Sequence, residues 1–100
     1  MVSQFSVSMN HPSLAGHFPG NPIVPGVVIL NEIIHTIESN WEEKTVTVLK
    51  FVKFIKPLRA EQKVTLTVDE TDTGTLKFVC KKNGEIFVSG QCIVTEKVLA

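Results

Sequence analysis

The residues best suited to chemistry lie in a loop that ends where a helix is predicted to begin. Between Asn10 and Gly26 the chain holds four of its five prolines and three of its six glycines, so neither a helix nor a strand continues through it. His17 lies in this loop, and histidine is the side chain best suited to take a proton from a bound molecule near neutral pH. Gly26 and Val27 lie at the helix start, where free N–H groups can stabilise negative charge on a carbonyl oxygen. A long loop of this kind is usually functional.

A single amphipathic helix is predicted directly after this loop, over residues 27–40. Its apolar residues recur at helical spacing: Val27, Leu30, Ile34 and Ile37, with Ile29 and Ile33 beside them. Apolar residues occupy so much of its circumference that we expect the helix to be central and largely buried. Glu32 and Glu38 are interpreted as its solvated face.

Outside the loop and the helix, the chain is typical of strands. Alternating or β-branched runs predict strands over residues 4–9, 45–56, 62–70, 75–81 and 86–95. One strand, a loop, one buried helix and four antiparallel strands form an α+β layout in which a sheet wraps a single helix. That architecture describes the hotdog fold, and residues 1–100 are predicted to form one domain.

Asn83-Gly84 is the strongest short hairpin signal in the chain. A two-residue turn there places Cys80 opposite Phe87 and Cys92 opposite Thr75, so the two thiols lie far apart. No intrachain disulfide is expected.

Composition narrows the classes of function. One hundred residues suffice for one small domain, and 43% hydrophobic content is more than so small a core can hide, so we expect a partner subunit. Ten basic and ten acidic residues give a net charge of zero, which provides no general attraction to nucleic acid or anionic membranes. The chain shows no secretory signal, no membrane-spanning run and no disulfide framework, so a reducing, cytoplasmic location is expected.

Residues 16–30 (GHFPGNPIVPGVVIL) closely resemble the signature of the β-hydroxyacyl-acyl-carrier-protein dehydratases of the FabZ and FabA type. Residues 51–57 (FVKFIKP) resemble the strand that follows the helix in that family, and the short chain is similar to the compact branch that includes enzymes of aryl-polyene synthesis. The resemblance implies a homodimeric hotdog enzyme with two active sites at the subunit interface. Such an enzyme removes water from a 3-hydroxyacyl thioester carried on acyl carrier protein, in fatty-acid or polyene-type synthesis.

The resemblance also assigns roles. His17 matches the catalytic histidine of the family, and the Gly26 and Val27 N–H groups would stabilise the thioester carbonyl. The substrate-binding positions that it implies are Phe18, Pro25, Val27 and His35.

This sequence departs from the family at Asn31, where the family carries a glutamate or an aspartate. Glu32 does not simply replace that carboxylate, because one residue along a helix is a turn of about 100°. Asn31 can hold a water or a hydroxyl by hydrogen bonds, and His35, one turn later on the same face, could restore an acid.

Four basic residues, Lys50, Lys53, Lys56 and Arg59, occur over ten positions without an acid between them. They form either a solvated edge or a docking surface for acyl carrier protein, which is generally acidic; the docking hypothesis names Lys53, Lys56 and Arg59.

Two other functions remain open. A hotdog thioesterase would use the polar residue at position 31 to orient a hydrolytic water. A non-catalytic acyl-thioester-binding subunit would keep the fold without turnover, or a homologous subunit would supply the missing acid across a dimer interface. No cofactor or metal site is suggested, because His11, His17 and His35 have no cysteine or carboxylate at ligand spacing.

Overall fold

The computed structural model describes residues 1–14 and 23–97. A 3₁₀ turn at Pro12–Leu14 precedes the helix. The helix is α1 (Gly26–Asn40), and the strands are β1 (Val2–Phe5), β2 (Lys44–Phe54), β3 (Val64–Asp72), β4 (Thr75–Lys82) and β5 (Glu85–Glu96).

The five strands form one antiparallel sheet in the order β1-β3-β4-β5-β2, and α1 packs across one of its faces. Strands β3, β4 and β5 follow one another as hairpins, while β1 and β2 form the two edges. The predicted α+β layout of one helix on an antiparallel sheet is confirmed.

The core lies between α1 and the sheet. Alternate residues of the strands point into it, for example Leu66 and Val68 of β3 and Phe78 of β4, each with an exposed fraction of 1% or less. The helix contributes a stripe at helical spacing: Val28, Ile29, Ile33 and Ile37.

The opposite face of α1 is open, which corrects the prediction of a largely buried helix. Val27 is 64% exposed, and Asn31 and His35 are exposed on the same face. The sheet covers only one side of the helix, and nothing else in the described residues packs against the other.

The first strand is shorter and earlier than predicted, since it ends at Phe5 instead of running to residue 9. Phe5 pairs with Val64, the first residue of β3, so beyond it the ladder has no partner strand. Val7 remains buried and its carbonyl accepts a hydrogen bond from the Glu61 amide at 2.8 Å, while Met9 is half exposed.

The β4–β5 hairpin turns at Asn83 and Gly84, which have φ angles of 49° and 77°. Two consecutive positive φ angles are typical of the type I′ turn that this dipeptide predicts. The register shifts immediately afterwards, because Phe87 is an extra residue in β5, and Cys80 therefore lies opposite Val88.

The same bulge places Cys92 opposite Leu76 and not opposite Thr75. Both thiols are buried and free. Burial raises the pKa of Cys80 to about 12 and also raises the pKa of Cys92.

Candidate active site

The start of α1 is held against the segment that follows β2. The Val24 amide donates to the Leu58 carbonyl at 2.7 Å, and Ile23 forms an antiparallel bridge with Arg59. The Pro25 carbonyl then accepts the amides of Val28 and Ile29, which begins the helix. The two amides before them, of Gly26 and Val27, have no intrahelical acceptor because of their position in the first turn.

A cleft of about 440 Å³ lies between this helix start and the segment after β2. Its lining is mostly apolar and consists of Val24, Gly26, Ile29, Phe54, Ile55, Lys56, Pro57 and Leu58. The cleft can therefore hold an apolar group beside the helix N-terminus, where the dipole favours a developing negative charge.

The wall formed by residues 55–58 is fixed by the β4–β5 hairpin. The Ile55 amide donates to the carbonyl of Phe87, the bulged residue of β5, at 2.8 Å. Lys82 donates to the Pro57 carbonyl, and Lys56 forms an ion pair with Glu85. The sequence gives no sign of these ties, because they join residues that are 25 to 32 positions apart.

The predicted site residues divide into three groups. His17 and Phe18 lie outside the described residues. Gly26 lines the cleft, and Pro25, which is exposed, immediately precedes it. The third group, Val27, Asn31 and His35, forms the exposed face of α1 and does not line the cleft.

The three predicted docking residues all lie at the end of the sheet that carries the cleft. Lys53 is exposed on β2 opposite Ser89, and the Arg59 side chain is exposed beside the start of the helix. The ammonium of Lys56 is paired with Glu85, so part of its charge is already balanced within the chain.

Glu38 is a structural residue that the sequence analysis misassigned to a solvated face. Its Oε2 accepts hydrogen bonds from the Val46 amide and the Thr45 hydroxyl, both at 2.9 Å. The Val46 bond, followed by the Thr45 bond, lowers the pKa of the Glu38 carboxyl. These bonds fix the second half of α1 to the start of β2.

Comparison with known proteins identifies the family. Residues 1–91 match the family model of the ApeI-like proteins, which is described as ApeI dehydratase. The chain belongs to the ApeI-like dehydratase family. This membership confirms the predicted resemblance to the dehydratases of the FabZ type.

Several curated relatives are named as FabZ dehydratases. A 3-hydroxyacyl-[acyl-carrier-protein] dehydratase FabZ of Nitrosomonas eutropha is 36% identical over an alignment of 105 positions, which covers 94% of this chain and 71% of that protein. The bifunctional enzyme LpxC/FabZ of Chlorobaculum tepidum is 31% identical over 107 residues, and the match spans all of this chain but 23% of that enzyme. FabZ of Chlamydia trachomatis is 30% identical over an alignment of 110 positions, which covers all of this chain and 67% of that protein.

Solved structures confirm the hotdog fold. The dehydratase heterocomplex ApeI:P from Xenorhabdus doucetiae contains a chain that superposes with a TM-score of 0.79 at 20% identity, covering 95% of this chain and 86% of that chain. A hypothetical protein from Aquifex aeolicus superposes with a TM-score of 0.73 at 12% identity, covering 98% of both chains.

Two further observations concern residues 1–14 and 23–97. No helix in these residues combines the length and apolar content required to cross a bilayer. Within the same residues, no group of three or more histidine, cysteine, aspartate or glutamate side chains is placed to hold a metal ion.

The Glu38 contacts predict a pH-dependent contribution to stability. A carboxyl whose pKa is lowered in the folded state stabilises the fold above its unfolded pKa, and this contribution is lost as the pH falls through the folded value. We expect Glu38→Gln to lower the free energy of unfolding by about 1 kcal/mol at pH 7, because neutral hydrogen bonds replace charged ones.

Urea unfolding at pH 7 and pH 3 measures this difference, which should shrink in acid. Glu42→Gln, at an exposed position just past α1, is the control. An equal deficit of Glu38→Gln at both pH values would contradict the assignment.

Proposed function

We propose that the protein dehydrates 3-hydroxyacyl thioesters carried on acyl carrier protein and catalyses the reverse hydration. This proposal rests on one observation: Gly26, at the start of α1, lines an apolar cleft in a chain of the ApeI-like dehydratase family. The 3-hydroxyacyl-[acyl-carrier-protein] dehydratase name of its FabZ relatives supports the substrate class.

The reaction breaks a C–H bond at C2 and the C–O bond at C3. A base takes the C2 proton, the electron pair forms the C2=C3 double bond, and the hydroxyl leaves C3 with a proton as water. We assign the base to His17 by its match to the family signature, and the stabilisation of the carbonyl oxygen to the Gly26 and Val27 amides. Phe18 and Pro25 are assigned to contact the acyl group.

We assign the hydroxyl of the substrate to Asn31 and His35. An asparagine amide donates and accepts hydrogen bonds but does not release a proton, whereas an imidazolium does. The two side chains are exposed on one face of α1, four residues apart, which supports their acting together. A homologous subunit that supplies a carboxylate is the alternative source of the proton.

Turnover of 3-hydroxybutyryl thioester to its 2-enoyl product tests this function, with free thiol followed in the same reactions. We expect His17→Ala to lower kcat/KM at least a hundredfold, as removal of a general base does. His35→Ala should also lower kcat/KM relative to the native protein, because His35 is assigned as the acid. Asn31→Asp should raise the rate.

The outcomes separate the alternatives. A silent native protein that Asn31→Asp activates would identify a binding or partner-dependent subunit. Thiol release without enoyl product would identify a thioesterase and overturn the dehydratase assignment.

We further propose that two copies of the chain associate along β2. Its outer edge has no partner strand in the described residues, and Val48, Leu49 and Phe51 on this strand are each 40% or more exposed. Exposed apolar side chains on an open edge favour pairing with another chain.

The charges of the two ends of the sheet are complementary in an antiparallel pairing. The cleft end carries six basic residues against two acids: Lys53, Lys56, Arg59, Lys63, Lys81 and Lys82, with Glu61 and Glu85. The opposite end carries five acids against two lysines: Glu42, Glu43, Glu70, Asp72 and Glu96, with Lys44 and Lys97. Antiparallel pairing of β2 with its copy would bring the basic end of each protomer towards the acidic end of the other.

Light scattering after size exclusion tests the homodimer. The native protein is expected at twice the chain mass, and Phe51→Lys at the chain mass, because a buried unpaired charge is costly at the interface. Ile86→Lys replaces a similarly exposed side chain on β5 and should remain dimeric. A native protein at the chain mass throughout the micromolar range would refute the pairing.

The basic end also supports docking of an acidic carrier protein. Lys53 and Arg59 are exposed there and close to the cleft, so an acidic partner would be steered to the place where its thioester must enter. Lys56 lies in the same surface, although its charge is shared with Glu85.

Charge reversal distinguishes docking from a solvated edge. We expect Lys53→Glu and Arg59→Glu each to lower kcat/KM about tenfold for a carrier-bound substrate at low salt, since surface charges act through the association rate. The same variants should turn over an N-acetylcysteamine thioester at the native rate, because no carrier is present. Lys77→Glu, an exposed control on β4, should change neither. Unchanged turnover of the carrier-bound substrate by both variants would refute carrier docking at this surface.

A cytoplasmic location belongs to the same proposal. Cys80 and Cys92 are free and separated within the sheet, which supports a reducing compartment.

A further inference from the structure

Glu61 lies in the turn of residues 58–62, between β2 and β3, with a backbone conformation that glutamate rarely adopts. Its φ angle is 69°, in the left-handed region where a Cβ atom crowds the following carbonyl and where glycine is favoured. Among residues 1–14 and 23–97, the other non-glycine residue with a positive φ is Asn83, and asparagine is enriched in this region. A glutamate held in this conformation indicates that its side chain has a use.

Both the side chain and the amide of Glu61 bind the segment that follows β1. Its Oε1 accepts a hydrogen bond from the Met9 amide at 2.6 Å, and its own amide donates to the Val7 carbonyl at 2.8 Å. Met9 immediately precedes the loop of residues 10–26. Glu61 therefore fixes the chain where it enters that loop.

The same turn holds the other end of the loop. The Val24 amide donates to the Leu58 carbonyl, and Ile23 forms its antiparallel bridge with Arg59. The turn itself is closed by Gln62, whose Oε1 accepts the Arg59 amide at 2.8 Å. One turn thus binds both ends of the loop and sets where they lie relative to each other.

His17 is close to the entry of the loop along the chain. The His11 and Leu14 amides donate to carbonyls three residues earlier, and Leu14 is buried in the core. These bonds continue the fixed entry segment from Met9 as far as Leu14. His17 follows three residues later, and three residues span at most about 11 Å. The position of the entry segment therefore limits where the His17 imidazole can reach.

We propose that Glu61 is a positioning residue for His17, because its bond to Met9 holds the entry of the loop. The inference rests on the proposed function, since it takes His17 as the base. Proton transfer requires the base within hydrogen-bond reach of the proton, so a small displacement lowers the rate of the chemical step. Glu61 does not line the cleft, so substrate binding is unaffected by its side chain. Loss of the carboxylate should lower kcat and leave KM unchanged.

Three variants test this with the 3-hydroxybutyryl thioester of N-acetylcysteamine. Glu61→Gly removes the carboxylate and keeps the turn, because glycine adopts a positive φ without strain, and we expect kcat to fall about tenfold at an unchanged KM. Glu61→Gln keeps an acceptor at the same distance and should retain kcat within about threefold. Asn83→Gly makes the matched change in the β4–β5 turn and should leave kcat unchanged.

Amide hydrogen exchange in the same samples reports the bond itself. The Met9 amide should exchange about tenfold or more faster in Glu61→Gly than in the native protein, because its acceptor is gone. The Phe78 amide, in the central strand β4, should exchange at the native rate, which shows that the fold is intact. Unchanged exchange at Met9 would overturn the proposal. Faster exchange at the native kcat, or a raised KM at the native kcat, would do the same.

A native protein that does not convert the substrate would refute the dehydratase function instead. The imidazole Cε1–H resonance of His17, identified by its absence in His17→Ala, then tests the positioning by NMR. Its chemical shift should change in Glu61→Gly and stay in place in Asn83→Gly, whereas the His35 resonance should stay in place in both. A His17 resonance that Glu61→Gly leaves unaltered would overturn the proposal.

Discussion

One contact surface, between the apolar stripe of α1 and one face of the sheet, positions everything else in this chain. Residues 1–14 and 23–97 contain one α-helix, and burial of Ile33 and Ile37 against the strands orders it while leaving its far side uncovered. The exposed face through Asn31 and the open edge of β2 are two results of the same shortage of covering elements. In a domain of this size, one helix face and one strand edge therefore remain available for contact with other molecules.

Apolar packing holds the helix layer on the sheet, and a few polar contacts fix the position of each element relative to its neighbours. Glu38 ties the second half of the helix to the start of β2, and the bulged Phe87 offers its carbonyl to the segment that leaves β2. Between these two ties lies the whole length of β2, whose last residue, Phe54, meets the first residue of the helix. The cleft has its shape because both ends of that strand are fixed.

The strands and the hairpin turn were predictable from the sequence, because they depend mainly on neighbouring residues. Alternation predicted β3, β4 and β5, and the φ preferences of Asn83 and Gly84 predicted the hairpin turn. The bulge at Phe87 was missed, because the consecutive apolar residues Ile86, Phe87 and Val88 do not indicate which of them is the extra one. Phe87 and Val88 are both buried, and the extra residue is evident only against the partner strand. Glu38 was missed for the same reason, since its partners come from another element.

Candidate site residues were predictable only where a dense motif carried them. The motif includes Gly26 and Val27, and the structure places these residues at a helix start beside a cleft. The Phe54 ring over Gly26 and the separation of charge between the two ends of the sheet follow from pairing between distant strands. A net charge of zero conceals that separation, because composition counts charges without placing them.

The reaction of the two buried thiols with a reagent depends on local opening of the sheet. Thiol reagents react with the thiolate, and burial both shields Cys80 and Cys92 and raises their pKa. Modification of the folded protein therefore has to proceed through molecules in which β4 or β5 has transiently separated from the core. The rate of labelling measures how often the central strands come apart, and a single chromophoric reagent can follow it without any engineered probe.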